Sequence, residues 1–192
     1  PRRAGRATAR LADRKSFHVL SLYPQRVRGG AAAPEIVTIR AGALLSKAQR
    51  AVALVVCLLA GLGFKALTTT SAGYARSIGF PDYNAGRENV MAHIRAMAPM
   101  IDIPLAADLE DGFGTEPEDC AETIRQGAAA GLVGGSIEDF TGDRSNPIHS
   151  IEKAADRIRA AAEAARKLPF KFMLCARAEN YLHGKQDLAD TI

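Results

Sequence analysis

Between Phe64 and Ile192, four short runs rich in β-formers alternate with amphipathic helical stretches, and this alternation limits the fold more than any other feature. The runs are 65–70, 103–110, 132–139 and 170–179. Each carries apolar residues on both of its alternating faces, as a parallel strand covered on two sides requires. The spacing predicts helices over 85–97, 116–130 and 150–167. Thr115 and Glu118 stand at capping-box spacing with Pro117 in the first turn, and Leu168–Pro169 stop the last helix. Strand and helix in this rhythm mean βα units and a parallel sheet. The first βα turn has no G-x-G-x-x-G, which disfavours a dinucleotide fold. Charged residues recur at the carboxyl ends of three successive runs: Asp108 and Glu110, Glu138 and Asp139, Arg177 and Glu179. In a (β/α)8 barrel such ends converge on one mouth, where active sites sit. The predicted fold class is therefore α/β of the TIM-barrel type. A full barrel takes about 250 residues, so residues 58–192 are expected to form a partial barrel of about four βα units.

The residues before this region read differently. Residues 1–57 carry a formal charge of +9 and residues 58–192 one of −5, so the basic character of the chain belongs to its first part. That part is rich in Arg, Ala and Gly and shows no sustained period, so the domain boundary is expected at 57/58. A transit-like segment, an arm binding anionic polymers or membrane surfaces, and a frameshifted or misjoined extension all fit it. An arm of this kind would bind nucleic acid weakly and without sequence choice, since no aromatic residues interleave with the basic ones. Neither a specific nucleic-acid partner nor a membrane partner is expected. The longest apolar run, Ala51–Phe64, contains Gly61 and Gly63 and is shorter than the ~18 residues of a spanning helix. Cys57, Cys120 and Cys175 are too scattered for a disulfide framework. Cys175, inside a predicted strand, reads as a small core residue. A reducing compartment follows: cytoplasmic, or the mitochondrial matrix if residues 1–57 are a transit segment.

The segment Asp108-Leu109-Glu110-Asp111-Gly112-Phe113-Gly114 carries the densest chemistry. Residues two apart on a strand face the same way, which would point Asp108 and Glu110 together into the mouth. Paired carboxylates repel unless a cation lies between them, and hard oxygen donors suit Mg²⁺, with Mn²⁺ as an alternative.

The stretches GFKALTTTSAGYARSIGFPD (63–82), IPLAADLEDGFG (103–114), GLVGGSIED (131–139) and LCARAENYL (174–182) resemble the isocitrate lyase/phosphoenolpyruvate mutase family, on its phosphoenolpyruvate mutase-like branch. The resemblance covers about residues 58–192. It implies a Mg²⁺-dependent lyase, mutase or hydrolase that makes or breaks a C–C or P–C bond in a small 2-oxo or 2-hydroxy carboxylate. Activities of the phosphoenolpyruvate mutase, carboxyvinyl-carboxyphosphonate phosphorylmutase and oxaloacetate decarboxylase kind come with it. By position, Asp108 resembles the direct metal ligand, while Glu110, Glu138 and Asp82 match carboxylates that hold the metal's waters. Thr70 and Ser71 match the segment that holds the substrate carboxylate. Arg177 matches the arginine that binds the substrate oxyanion, and Glu179 faces the same way. The K-K-C-G-H signature of isocitrate and methylisocitrate lyases is absent after Glu138, where residues 140–149 read FTGDRSNPIH. Those two activities are therefore not expected, and Arg144, Asn146 and His149 remain as polar candidates in that loop. The open edges of a partial barrel are expected to leave the chain aggregation-prone and inactive. The homo-oligomer usual in the family is in question for a chain of this extent.

Overall fold

The computed structural model describes residues 16–20, 36–40 and 47–191. The chain divides into two compact units, residues 1–46 and 47–192. In the first, β1 (Ser16–Leu20) pairs antiparallel with β2 (Ile36–Arg40), Ser16 opposite Arg40 and Leu20 opposite Ile36. These two strands fall in a stretch whose sequence shows no sustained period. The other readings of residues 1–57 fall largely outside the described residues.

The second unit opens with α1 (Lys47–Gly61), which runs straight through residue 57. Charge marks the boundary at 57/58, whereas the division in space falls at 46/47. The apolar run that begins at Ala51 is the body of this helix, so the helix joins the domain through its packing and not through its charge. Val56 is buried in the main core, while Leu54, Val55, Leu58 and Leu62 lie exposed. Among the described residues no helix is long and apolar enough to cross a membrane.

Four parallel strands follow in the order β3-β4-β5-β6: β3 (Leu67–Thr68), β4 (Leu105–Asp108), β5 (Gly134–Glu138) and β6 (Met173–Arg177). Sequence order equals spatial order. Each strand returns through helices: α2 (Ser71–Ser77) and α3 (Arg87–Met97) after β3, α4 (Pro117–Ala130) after β4, and α5 (Ile151–Arg166) after β5. A short α6 (Leu188–Thr191) follows β6. This is the progression of a βα barrel wall, four units long. The core lies between sheet and helices, around Met91, Ile94, Leu109, Ile124, Leu132 and Ile137.

Two local features depart from the spacing argument. The capping box of α4 is built one residue later than predicted, from Glu116 and Asp119, whose carboxylate accepts from the Glu116 amide at 2.9 Å. Pro117 occupies the first turn, where it lacks only a hydrogen that the helix would not use. Cys175 is exposed, not a core residue. It lies on β6, an edge strand among the described residues, where the neighbouring Met173 is also uncovered. β5, by contrast, is buried on both faces and needs its glycines. A Cβ on Gly135 would meet Leu109 Cδ1 at 2.6 Å and the Ala107 carbonyl oxygen at 3.2 Å.

His93 on α3 is buried, its ring stacked on Tyr74 with centroids 4.0 Å apart and its Nδ1 without a partner. Burial disfavours the imidazolium and holds its pKa below the ordinary 6.5. Between those two values the unfolded chain binds more protons than the folded one at His93, so the contribution of this residue to stability falls as pH drops. Burial of Glu110 and Glu138 acts in the opposite sense over the same range, so the His93 effect is read as a difference between two proteins. Relative to His93→Phe, which keeps the stack and removes the proton site, wild type is expected to lose melting temperature as pH falls below about 6.5.

Candidate active site

The carboxyl ends of β4, β5 and β6 bring Asp108, Glu138 and Arg177 together. Arg177 Nη1 lies 3.1 Å from Glu138 Oε2 and 3.5 Å from Asp108 Oδ1, and Nη2 pairs with Glu179. The register explains this meeting: Asp108 is level with Ser136 across β4–β5, and Glu138 is level with Arg177 across β5–β6. Glu138 and Glu179 are almost wholly buried, while the guanidinium is partly open to solvent.

From the other side, Ser71 closes on Asp108. Its hydroxyl donates to Asp108 Oδ2 at 2.8 Å, and its backbone amide to the same oxygen at 3.3 Å. Thr70 is the N-cap of α2, and its side chain makes no capping bond. Of the two residues assigned to the substrate carboxylate, only Ser71 therefore touches the acidic cluster, and it does so through Asp108. The hydroxyl of Thr69, next along the chain, accepts from the Asp108 amide at 3.3 Å.

Glu110 does not reach the site by strand alternation. β4 ends at Asp108, and Glu110 takes a positive φ of 52°, followed by Gly112 at 81° and Phe113 at 58°. The turn folds the Glu110 carboxylate inward until it is buried, with Oε1 lacking any partner. Burial, with the negative charges of Asp111, Asp82, Asp108 and Glu138 around it, pushes its pKa up to about 7. Burial also drives Glu138 to about 7, although Tyr83 and Arg177 pull the other way. Asp82 stands at the lip. Its Oδ1 accepts from the Tyr83 amide at 3.2 Å, and it acts on the cluster through charge.

The unusual turn is tied down by two arginines from the helices behind it. Arg157 on α5, fully buried, donates to the carbonyl oxygens of Asp111 and, at 2.6 Å, Gly114. Arg87 on α3 donates to those of Gly112 (3.3 Å), Phe113 (3.2 Å) and Asp119 (3.2 Å). Such positive-φ residues cost about 1–3 kcal/mol each and persist where their surroundings fix them.

Tyr83 is the site residue that sequence reasoning misses. It follows Asp82 at a positive φ of 64°, and its hydroxyl donates to Glu138 Oε1. Burial and the carboxylate beside it hold the phenol far above its ordinary pKa, so it stays a donor. Its ring meets Phe140 at 4.7 Å, and Phe140 stacks on His183 at 4.9 Å, whose Nε2 lies 3.8 Å from Glu179. A Tyr after Pro-Asp is an ordinary turn residue in one dimension, and nothing local ties it to Glu138. Tyr83→Phe removes a hydrogen bond to the ionised form of Glu138. The expected result is a further rise of that carboxyl's pKa above about 7, read by NMR titration of the glutamate side chains. Of the loop candidates, His149 is half-buried among Arg157, Lys153, Asp111 and Asp139, with Nε2 unpartnered.

The donor set fits a hard divalent cation. Asp108, Glu138 and Glu179 stand against one guanidinium, every potential ligand atom on these carboxylates and on Glu110 is oxygen, and Glu110 Oε1 is buried without a partner. Among the described residues no three His, Cys, Asp or Glu side chains converge tightly enough to ligate one ion together. Mg²⁺ asks for less, one or two direct carboxylates with waters filling its other positions.

Fold and site together define a βα-repeat scaffold with a cluster of carboxylates around one arginine at the carboxyl end of a parallel sheet. The family model for phosphoenolpyruvate phosphomutase matches residues 50–192. The chain belongs to the isocitrate lyase/phosphoenolpyruvate mutase family. It is 32% identical over 125 residues to 2-methylisocitrate lyase of Escherichia coli (strain K12), an alignment covering 61% of this chain and 42% of that protein. Among solved structures, a Burkholderia cenocepacia J2315 protein described no more closely than lyase/mutase is 54% identical. It has a TM-score of 0.70 and covers 72% of this chain and 50% of its own. Phosphonopyruvate hydrolase in complex with oxalate and Mg²⁺ is 28% identical, with a TM-score of 0.64, covering 69% and 46%. The chain thus spans less than half the length of the curated lyase and about half that of these solved relatives.

Proposed function

We propose that this protein makes or breaks a C–C or P–C bond in a small 2-oxo or 2-hydroxy carboxylate with the help of Mg²⁺. The observation that carries this reading is the meeting of Asp108, Glu138, Glu179 and Arg177 at three adjacent strand ends. The relatives support it. One is a phosphonopyruvate hydrolase complexed with oxalate and Mg²⁺, and another an oxaloacetate acetylhydrolase complexed with the product oxalate.

Asp108 would hold the metal directly, with Glu110, Glu138 and Asp82 oriented toward its waters. Once bound, the metal would act as a Lewis acid toward an oxygen that gains charge in the transition state. The chain's own residues do the rest. Arg177 supplies a planar fork suited to a carboxylate or enolate oxygen. The Ser71 amide and hydroxyl hold Asp108 in place from the strand side. Tyr83 holds Glu138, and Phe140 and His183 pack beside it.

Because open strand edges are expected to leave this chain inactive, the test is a substrate panel run with and without Mg²⁺ on a full-length relative that carries these motifs: phosphonopyruvate, oxaloacetate and 2-substituted malates, with oxoacid products followed by coupled assay. Metal-dependent turnover of one class is expected. Absence of turnover across the panel, together with no binding of oxalate in the presence of Mg²⁺, would overturn the reading.

A further inference from the structure

Beside the acidic cluster lies a cavity of about 630 Å³ whose Arg76 and Arg144 have no part in the chemistry above. It shares a wall with the cluster, because Tyr83 and His183, which line it, also touch Glu138 and Glu179. Its volume falls within the ~300–1,000 Å³ of pockets that enclose drug-sized ligands. A three- or four-carbon acid would leave most of it empty.

The lining combines two arginines with aromatic side chains. Arg76, in the last turn of α2, and Arg144 both line it, and neither makes an ion pair among the described residues. Asp82 is the single carboxylate in the lining. Arg144 sits on a loop whose shape is set in advance. Phe140 and Ile148 bridge its base, the Thr141 hydroxyl donates to the Asn146 carbonyl at 2.6 Å, and the Thr141 amide to that of Pro147 at 2.8 Å. The carboxylate next in sequence, Asp143, is engaged by the Ser145 amide at 2.8 Å and hydroxyl at 2.7 Å. The loop thus occupies its own acid and leaves the Arg144 guanidinium without a local partner. Tyr83, Phe140 and His183 form the apolar wall along which a carbon chain would lie.

We propose that this cavity is a subsite for the distal part of the substrate: a carbon chain lying on the Tyr83–Phe140–His183 wall and ending in an oxyanion held by Arg76 and Arg144. The inference rests on the function proposed above and narrows it. The substrate is an acid with a second anionic group several bonds away from the reacting 2-oxo or 2-hydroxy carboxylate, and Arg76 and Arg144 select for that group. Guanidinium–carboxylate contacts of this kind are charge-assisted and bidentate by geometry, which gives selectivity as well as affinity.

The experiment compares three ligands on the purified protein with Mg²⁺, by calorimetry. Oxalate is too short to reach the cavity and reports the metal and Arg177 site alone. 2-Oxoglutarate and 2-oxopentanoate have equal chains and differ only in the terminal carboxylate. Wild type is expected to bind 2-oxoglutarate about tenfold or more tightly than 2-oxopentanoate. In Arg76→Gln/Arg144→Gln that preference is expected to fall to near unity with oxalate affinity unchanged. Both side chains are exposed, and an unchanged circular dichroism melt will show that the fold is intact. Oxalate binding with no wild-type preference, or with a preference that survives the double substitution, overturns the subsite and leaves the proposed function standing. Failure of wild type to bind oxalate overturns both.

Discussion

Replacing Asp108 by Asn, in a full-length relative that carries the same motif, is expected to lower metal-dependent turnover by roughly a thousandfold, the scale seen when a charge-stabilising group is removed from a reacting centre. Asn preserves the shape of the side chain and an acceptor for Ser71, so the contact between α2 and β4 survives and the loss reports charge. Two readouts separate the possible causes. Mg²⁺ binding measured by calorimetry should weaken sharply, since Asp108 is the assigned direct ligand. The melting temperature should change little, because Asp108 lies at a strand end outside the core, with its side chain about one-fifth exposed. Turnover that remains metal-dependent at near wild-type rate would remove Asp108 from the site.

The second large effect is on stability. Arg157→Leu is expected to destabilise the domain by about 2–6 kcal/mol, because the Asp111 and Gly114 carbonyls lose their donor and each buried unsatisfied group costs about 1–3 kcal/mol. Urea denaturation measures this directly. The positive-φ turn from Glu110 to Phe113 should then relax, so the same variant is expected to bind Mg²⁺ more weakly although it touches no ligand. Loss of stability with unchanged Mg²⁺ affinity would show that Arg157 supports the core but not the site.

Much of this was readable along the chain, and for a physical reason. Parallel strands buried on two faces carry a strong apolar signal, and polar residues at their carboxyl ends stand out against it. Asp108, Glu138 and Arg177 are legible that way. What escaped detection depends on pairing between distant positions or on local exceptions. Tyr83 and Glu138 are 55 residues apart in sequence, and no period links them. Glu110 was expected to follow Asp108 by alternation, which fails where the backbone turns to positive φ. On α5 helical spacing puts Ile151, Ala154, Ile158, Ala161 and Ala165 along one apolar stripe. The buried face instead runs through Arg157, Ala161, Ala164 and Ala165, and Ile151 is exposed. A buried arginine reads as solvent-facing until its carbonyl partners are known. Residue 57 misled because charge composition and helix packing change at different places.

Arg177 has a consequence for the order in which this protein is assembled. Its guanidinium already sits among Asp108, Glu138 and Glu179, so the chain carries a counterion for its own acidic pocket. In zinc-finger-like domains, binding the metal and folding are one event. Here the negative charges are partly neutralised from within, so the chain need not wait for an ion before closing around them. A divalent cation held there would compete with Arg177 for Asp108 and Glu138, and a guanidinium released from them would be available to an oxyanion.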